Sequence, residues 1–220
     1  MTENMKDSGI EWIGEIPEEW DISKLKDLFT FGKGLSITKE NLVDEGISVI
    51  SYGQIHSKNN NGVKISESLI RYVDKKYLLK NFDSLVHQSD FIFADTSEDL
   101  DGCGNCIYVN SEMILFAGYH TIILNAINAK DNRYLAYLFK TDVWRSQIRS
   151  KVYGIKVYSI TQKILKEANI IIPPFFEQQA IADFLDEKVG QVDDILADLN
   201  RQIEILNQYR DSVIYEATSK

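Results

Sequence analysis

Asn169-Ile170-Ile171-Ile172-Pro173-Pro174-Phe175-Phe176-Glu177-Gln178-Gln179-Ala180-Ile181, with the run that follows it to about Ala217, decides the architecture of this 220-residue chain. Asn169 to Ile172 reads as a last short strand, closed by two prolines. Pro174 is tolerated at the edge of a helix, and Glu177 in the first turn suits the positive end of the helix dipole, so a helix is expected from near Phe175. Leu185, Val189, Val192, Leu196, Leu199, Ile203, Leu206, Arg210 and Val213 then follow one another at alternating steps of four and three. All but Arg210 are apolar, which makes a heptad seam of the coiled-coil kind. A helix of roughly 37 residues spans about 55 Å. That is too long for one small domain to cover, so the seam calls for a partner helix, from this chain or another. The competing reading is a long core helix of a larger domain.

Working outward, the chain can bury a real core and carry one domain plus an appendage. Hydrophobic residues at 44% and charged residues at 26% are ordinary for a globular protein. No stretch approaches 18 consecutive apolar residues, so no membrane partner is expected. The polar, acidic N-terminus lacks a signal-peptide core, and a cytoplasmic location is expected. Two cysteines do not make a disulfide framework.

The net charge of −9 argues at first against nucleic acid. Its distribution reverses part of that. Residues 1–30 carry −5, residues 31–80 carry +3, residues 81–130 carry −6, residues 131–166 carry +6 and residues 167–220 carry −7. Two basic segments therefore lie within one domain, and the long helix is acidic. Phosphate binding follows local fields more than net charge. A basic face with acidic flanks suits a protein that meets DNA on one side and protein on the other; ordinary solvated charge is the alternative.

Along the chain, Pro17 and the glycines between residues 8 and 20 argue against regular structure, with Trp12 and Trp20 pinning the segment. Trp20 to Phe31 reads as a strand, or a strand with a short helical turn. Residues 46–57 read as a strand running into a loop, Lys58 to Gly62 as an exposed turn, and 68–79 as a short helix. Phe91 to Phe93, Ile107 to Val109, Ile114 to Phe116 and Thr121 to Asn125 read as strands, with an acidic loop from Asp95 to Gly104. Asn132 to Arg149 reads as one helix, with Leu135, Leu138, Phe139, Val143 and Ile148 on its apolar face. The expected fold class is α+β. A mixed domain over 1–172 is followed by one long coiled-coil helix over 173–220.

Ser8-Gly9-Ile10-Glu11-Trp12-Ile13-Gly14-Glu15-Ile16-Pro17-Glu18-Glu19-Trp20, Asp90-Phe91-Ile92-Phe93-Ala94-Asp95, Gly154-Ile155-Lys156-Val157-Tyr158-Ser159-Ile160 and above all Ile170 to Ile181 resemble one half of a type I restriction-modification specificity subunit. The resemblance covers nearly the whole chain in order. The family's usual Gly before Asp90 is Ser89 here, and a usual Gly-Thr is Gly154-Ile155. The resemblance implies a non-catalytic target recognition domain followed by a spacer helix. Members of full length carry two of each, with the helices antiparallel, and read a split double-stranded DNA site. The implied partners are methyltransferase (modification) subunits, which would hold S-adenosylmethionine, and a restriction and translocase subunit. This chain itself would need no cofactor. With one domain and one helix it is either a natural half-length subunit that pairs or a fragment of a longer one. As a homodimer through Leu185, Val189, Val192, Leu196, Leu199, Ile203, Leu206 and Val213, it would read an interrupted palindrome.

Base reading needs paired donors and acceptors on exposed loops, and phosphate contacts need cations, hydroxyls or tyrosines. Gln54, His56, Ser57, Lys58 and Asn59 offer that mix after a strand; a solvated turn would look the same. Lys33 and Ser36, beside Gly32 and Gly34, could approach a phosphate, or form a plain turn. Tyr119 and His120 precede a strand, and His120 either meets DNA or faces the core. Arg149, Lys151, Lys156 and Tyr158 surround Gly154 and suit phosphate contacts. Arg133, Lys140 and Arg145 fit the solvated face of a helix.

Catalytic signatures are sparse. An adenine methyltransferase needs Asn or Asp before Pro-Pro-aromatic, and Ile172 stands there. No Gly-rich nucleotide loop follows a strand. Asp186-Glu187-Lys188 has a nuclease-like spacing but falls on the long helix at solvated positions. Cys103-Gly104-Asn105-Cys106 is the rival signal: half of a zinc site, a redox pair, or two reduced cysteines in a loop. The first expectation is a DNA specificity subunit. The alternatives are a cysteine-pair redox or zinc enzyme, and a coiled-coil interaction protein without a DNA role.

Overall fold

Phe91–Ala94 is buried at every residue, and the fold is organised around it. It pairs antiparallel with Cys106–Tyr108 on one side and Thr121–Ala126 on the other, and Phe29–Lys33 closes the four-stranded sheet next to Thr121–Ala126. Successive side chains of a strand point to opposite faces, so a strand buried throughout must be covered on both. On one face Phe91 and Phe93 meet Phe139 with ring centroids 5.0 and 5.5 Å away, and Phe139 stacks on Trp144 at 4.4 Å. On the other, Ile92 and Ala94 join Ile107 and Ile123 in an apolar cluster with Ile50, Val86, Leu115 and Ala117. Those four come from a second sheet of five strands, ordered Leu42–Val43, Arg71–Val73, Ile47–Ile50, Leu115–Ala117 and Leu85–Val86. Within it, Ile47–Ile50 and Leu115–Ala117 run parallel and the other pairs antiparallel. The layers are thus helices, four-stranded sheet and five-stranded sheet.

The chain is known here as a computed structural model that describes residues 4–11, 13–128 and 131–219. Trp12, expected to pin the N-terminal segment with Trp20, lies outside them. The α+β class and the four expected strands around residues 91, 107, 115 and 123 are present. Other expectations are corrected. Residues 8–20 are not wholly irregular: Met5–Asp7 pairs with Glu15–Pro17, and Pro17 sits at a strand end, where its missing N–H costs no ladder bond. Residues 52–55 form a one-turn helix rather than a loop. Residues 68–79 contain the strand Arg71–Val73 and a 3-10 turn, Lys75–Leu79, capped by Asp74.

The single helix expected over 132–149 is two, Arg133–Leu138 and Asp142–Arg149. Thr141 between them is extended, and its hydroxyl oxygen accepts from the Trp144 N–H at 3.2 Å. That local cap competes with continuation of the first helix. The restart changes the apolar face. Val143, expected inside, is exposed, while Trp144 and Ile148 are buried.

Ser89 adopts φ +78°, in the left-handed region that favours glycine. It lets the next residue turn inward. The buried Asp90 accepts N–H bonds from His87 at 2.8 Å and Ala126 at 2.9 Å. Burial nonetheless pushes its carboxyl up from the ordinary value.

Asn169–Ile172 pairs antiparallel with Asp21–Lys24, and Trp20 donates its indole N–H to Glu177 at 2.8 Å. The helix runs Phe175–Thr218, 44 residues or about 66 Å. The chain divides into two units, Met1–Gln179 and Ala180–Lys220. Along the second, Val189, Val192, Leu196, Leu199, Ile203, Leu206 and Val213 are exposed, as are Ile195 and Ile214, which widen the stripe. No helix among the described residues is long and apolar enough to cross a membrane.

Candidate nucleic-acid interface

Two clefts meet at His120. The first, about 740 Å3, is lined by Tyr52, His56, Asp99, Asn105, Arg145 and Val157 among others. The second, about 660 Å3, is lined by Lys33, Ser36, Asp95, Tyr119, Gln162 and Lys163 among others. His120 lines both.

The segments that build them are anchored by backbone contacts. Tyr52 donates its N–H to the Tyr119 carbonyl at 3.3 Å, and Asp95 donates to the His120 carbonyl at 3.1 Å. This gathers residues 52, 95 and 120 at one place. Tyr52 is the hub of an edge-on ring cluster, with centroids 5.6 Å from Tyr119, 5.3 Å from His120 and 6.3 Å from His56. His120 sits at φ +55° and is exposed, so it does not face the core. Its Nδ1 lies 3.2 Å from Asp95 Oδ1.

His56 has both ring nitrogens engaged: Nε2–H donates to the Thr96 carbonyl at 2.8 Å, and Nδ1 accepts from Asn105 at 3.1 Å. That assignment is the neutral tautomer that satisfies both bonds. His56 therefore offers a carbon edge to the cleft and holds the acidic loop in place.

The other candidates are distributed unevenly. Lys33, Ser36, Tyr119, His120 and His56 converge on the two clefts, and Lys156 and Tyr158 flank the cleft-lining Val157. Gln54, Ser57, Lys58, Asn59, Arg149 and Lys151 line neither cleft. The Gln54 side-chain oxygen accepts from Ser51 N–H at 3.1 Å and caps its own turn. Ser57 accepts from Asn59 N–H at 3.2 Å, leaving Lys58 and Asn59 exposed at the turn. Arg149 pairs with Asp142 at 3.0 Å and donates to the Asp101 carbonyl at 3.1 Å, which ties down the acidic loop. Lys151 and Lys156 are exposed. Tyr158 pairs with Ser97 in a two-residue strand.

Tyr52, Asn105, Arg145 and Gln162 also line the clefts, which the sequence alone does not reveal. Tyr52 had a signal, an aromatic within Ser51-Tyr52-Gly53-Gln54. Gln162 had none, since it is placed by a long-range bond to the Gly32 carbonyl at 2.9 Å.

Charge divides the clefts. The first carries Glu98, Asp99 and Asp101 against Arg145, whose pKa burial lowers. The second carries Lys33 and Lys163 against Asp95. Carboxylates accept from base amino groups, whereas lysines and serines suit phosphate.

Cys103 and Cys106 are free and buried. Burial pushes the Cys106 thiol up to about 12 and raises Cys103 too, with Asp99 adding to the rise. A redox or zinc cysteine needs the thiolate, which this setting opposes. Among the described residues no group of three or more His, Cys, Asp or Glu could hold a metal ion.

A family model described as Type I restriction modification DNA specificity domain matches residues 17–205. The chain is 25% identical over 210 residues to the type I restriction enzyme StySPI specificity subunit of Salmonella potsdam, covering 94% of this chain and 44% of that protein. It is 24% identical over 205 residues to the EcoKI specificity subunit of Escherichia coli K12, covering 91% and 43%. The solved S subunit of the type I restriction-modification system from M. genitalium shares the fold, with a TM-score of 0.54 and 22% identity over 91% of this chain and 46% of that one. The chain spans about half the length of the curated relatives it matches. With the family model covering most of its length, the chain belongs to the type I restriction modification DNA specificity domain family.

Proposed function

We propose that this chain is a non-catalytic DNA-specificity subunit of a type I restriction-modification system, reading half of a bipartite duplex site. The observation that carries the proposal is the family match across residues 17–205, and two adjoining clefts that share His120, one lined by Lys33, Ser36 and Lys163 and the other by Tyr52 and three carboxylates, support it. Lys33, Ser36 and Lys163 hold the backbone, while His120, Tyr52 and the carboxylates of the first cleft face base edges. Residues 1–172 form the recognition domain and residues 173–220 the arm. The arm pairs with a second copy through its exposed seam, fixes the half-site spacing and docks the modification subunits, on which S-adenosylmethionine binds. Those subunits supply methyl transfer, and a restriction and translocase subunit acts through them. The acidic total charge predicts weak DNA binding at physiological salt without the modification subunit.

The test is co-expression with the neighbouring modification subunit in a methylation-free host, followed by a genome-wide map of methyladenine. An interrupted palindrome establishes two identical reading heads. An asymmetric split site means that a second, different recognition domain takes part. No methylation from an assembled complex overturns the proposal.

A further inference from the structure

Between Lys151 and Ile160 the chain makes a stapled projection. Tyr153 bridges to Ser159, and Tyr158 and Ser159 pair with Ser97 and Thr96. The tip in between is tight, since a Cβ added at Gly154 would lie 2.1 Å from the Val157 carbonyl oxygen. On this tip Ile155 is 99% exposed, Tyr153 is 85% exposed and Val157 is exposed as well. One exposed apolar residue is ordinary, but three within five residues on a constrained tip are not. Lys151 and Lys156 accompany them, both exposed, in the segment that carries +6 within a chain of −9. The tip rises at the edge of the first cleft, which Val157 lines with Tyr52, His56 and His120.

We propose that this tip is a base-reading prong for duplex DNA, with Ile155 as a specificity-determining residue and Lys151 and Lys156 as its phosphate anchors. The inference rests on the DNA-reading assignment above and names where part of the reading is done. An apolar side chain set in a groove meets thymine methyls or wedges against a base step, and both contacts depend on sequence. A lysine on a phosphate does not. The cations argue for the occupant: apolar side chains interleaved with Lys151 and Lys156 fit a polyanion whose bases carry apolar edges.

The test uses the full chain co-expressed with its modification subunit in the methylation-free host, comparing methyladenine maps of wild type, Ile155→Ser and Lys156→Ala. Ile155→Ser is expected to leave the complex assembled and make one or two positions of the recognised half-site degenerate, with discrimination there falling about five- to hundredfold. Lys156→Ala is expected to keep the recognised sequence and lower methylation at all sites alike. An unchanged sequence in Ile155→Ser overturns the prong, whether or not overall methylation falls. Loss of the modification subunit from the purified Ile155→Ser complex also overturns it and makes the tip a protein-docking surface. Absence of methylation with the assembled wild-type complex removes the DNA-reading assignment itself, a failure distinct from that of the prong.

Discussion

Phe91–Ala94 and the run from Val189 to Val213 are made of similar side chains with opposite fates. The strand has period two and finds a layer on each face, so every residue is buried. The helix repeats its apolar positions every three and four residues, and its seam stands exposed from Val189 onward. Fully burying a Val or Leu side chain is worth about 1.5–3 kcal/mol. The first unit collects that stabilisation from its own chain. The second leaves it uncollected, and a second helix is the one element whose periodicity matches the seam. The difference lies in where the apolar side chains go: the domain buries them in its own layers, and the arm leaves them exposed, which is what the proposed pairing would cover.

The largest effect is expected where that contrast is sharpest. Leu196→Asp together with Leu199→Asp puts two carboxylates into the proposed helix pair in each copy. Large-to-small changes at buried leucines already cost about 2–5 kcal/mol each, so self-association should weaken more than a thousandfold. Sedimentation equilibrium reads the affinity, and near-ultraviolet circular dichroism should show the domain intact. A monomeric wild type, or a double variant that still dimerises, breaks the comparison.

The converse change strikes the domain. Trp144 is fully buried, stacks on Phe139 at 4.4 Å and donates its indole N–H to the Asn169 carbonyl at 3.1 Å. Trp144→Ala should destabilise the domain by about 3–5 kcal/mol in urea titration, with the affinity of the arm unchanged. An unfolding transition shared by arm and domain would show that the two regions do not keep separate accounts of stability.

The same two regions explain how much could be read in advance. The arm was legible because a heptad seam and a Pro-Pro junction are local patterns. The strands at 91–94 and 121–126 were legible because buried strands are dense in β-branched and aromatic residues. The break at Thr141 was not, because Asn132 to Arg149 keeps a helical apolar period across it and one hydroxyl-to-backbone bond decides. The clefts were half legible. Lys33, Ser36, Tyr119 and His120 sit beside glycines and turns, where exposure is foreseeable. Arg149 and Gln54 have the composition of DNA contacts but are engaged by near neighbours in the chain, Asp142 and Ser51, while His56 is engaged by Asn105, which only folding brings near. Tyr52 and Gln162 reach the clefts through contacts between distant segments.

A smaller effect is expected at Asp90, which ties the turn at His87 to the end of the strand Thr121–Ala126 through the His87 and Ala126 N–H groups. Asp90→Ala leaves both donors without their acceptor, at about 1–3 kcal/mol for each that water cannot reach. Asp90→Asn keeps one carbonyl oxygen and should lose less. Equal losses in urea titration would mean that the charge, rather than the acceptor geometry, holds the turn.

The smallest effect lies at the strand pair that precedes the arm. Glu167 is clasped by Lys24 and by Lys26, the latter at 2.8 Å, next to the pairing of Asn169–Ile172 with Asp21–Lys24. Hydrogen bonds from Lys24 first, then Lys26, hold its carboxyl down to about 2 from an ordinary 4.5. A carboxyl whose value is lower in the folded than in the unfolded chain stabilises the fold only while ionised. Its contribution is therefore present above about pH 4.5 and fades as the pH falls toward about 2. The pair is open to solvent, so the contribution is small and screened by salt. Urea midpoints of wild type and Glu167→Gln, measured from pH 7 downward at low salt, should differ slightly at neutral pH and converge through that acid window. A gap that persists to pH 2 would assign the effect of the substitution to packing, and would remove the ion pair from what secures the chain ahead of the helix.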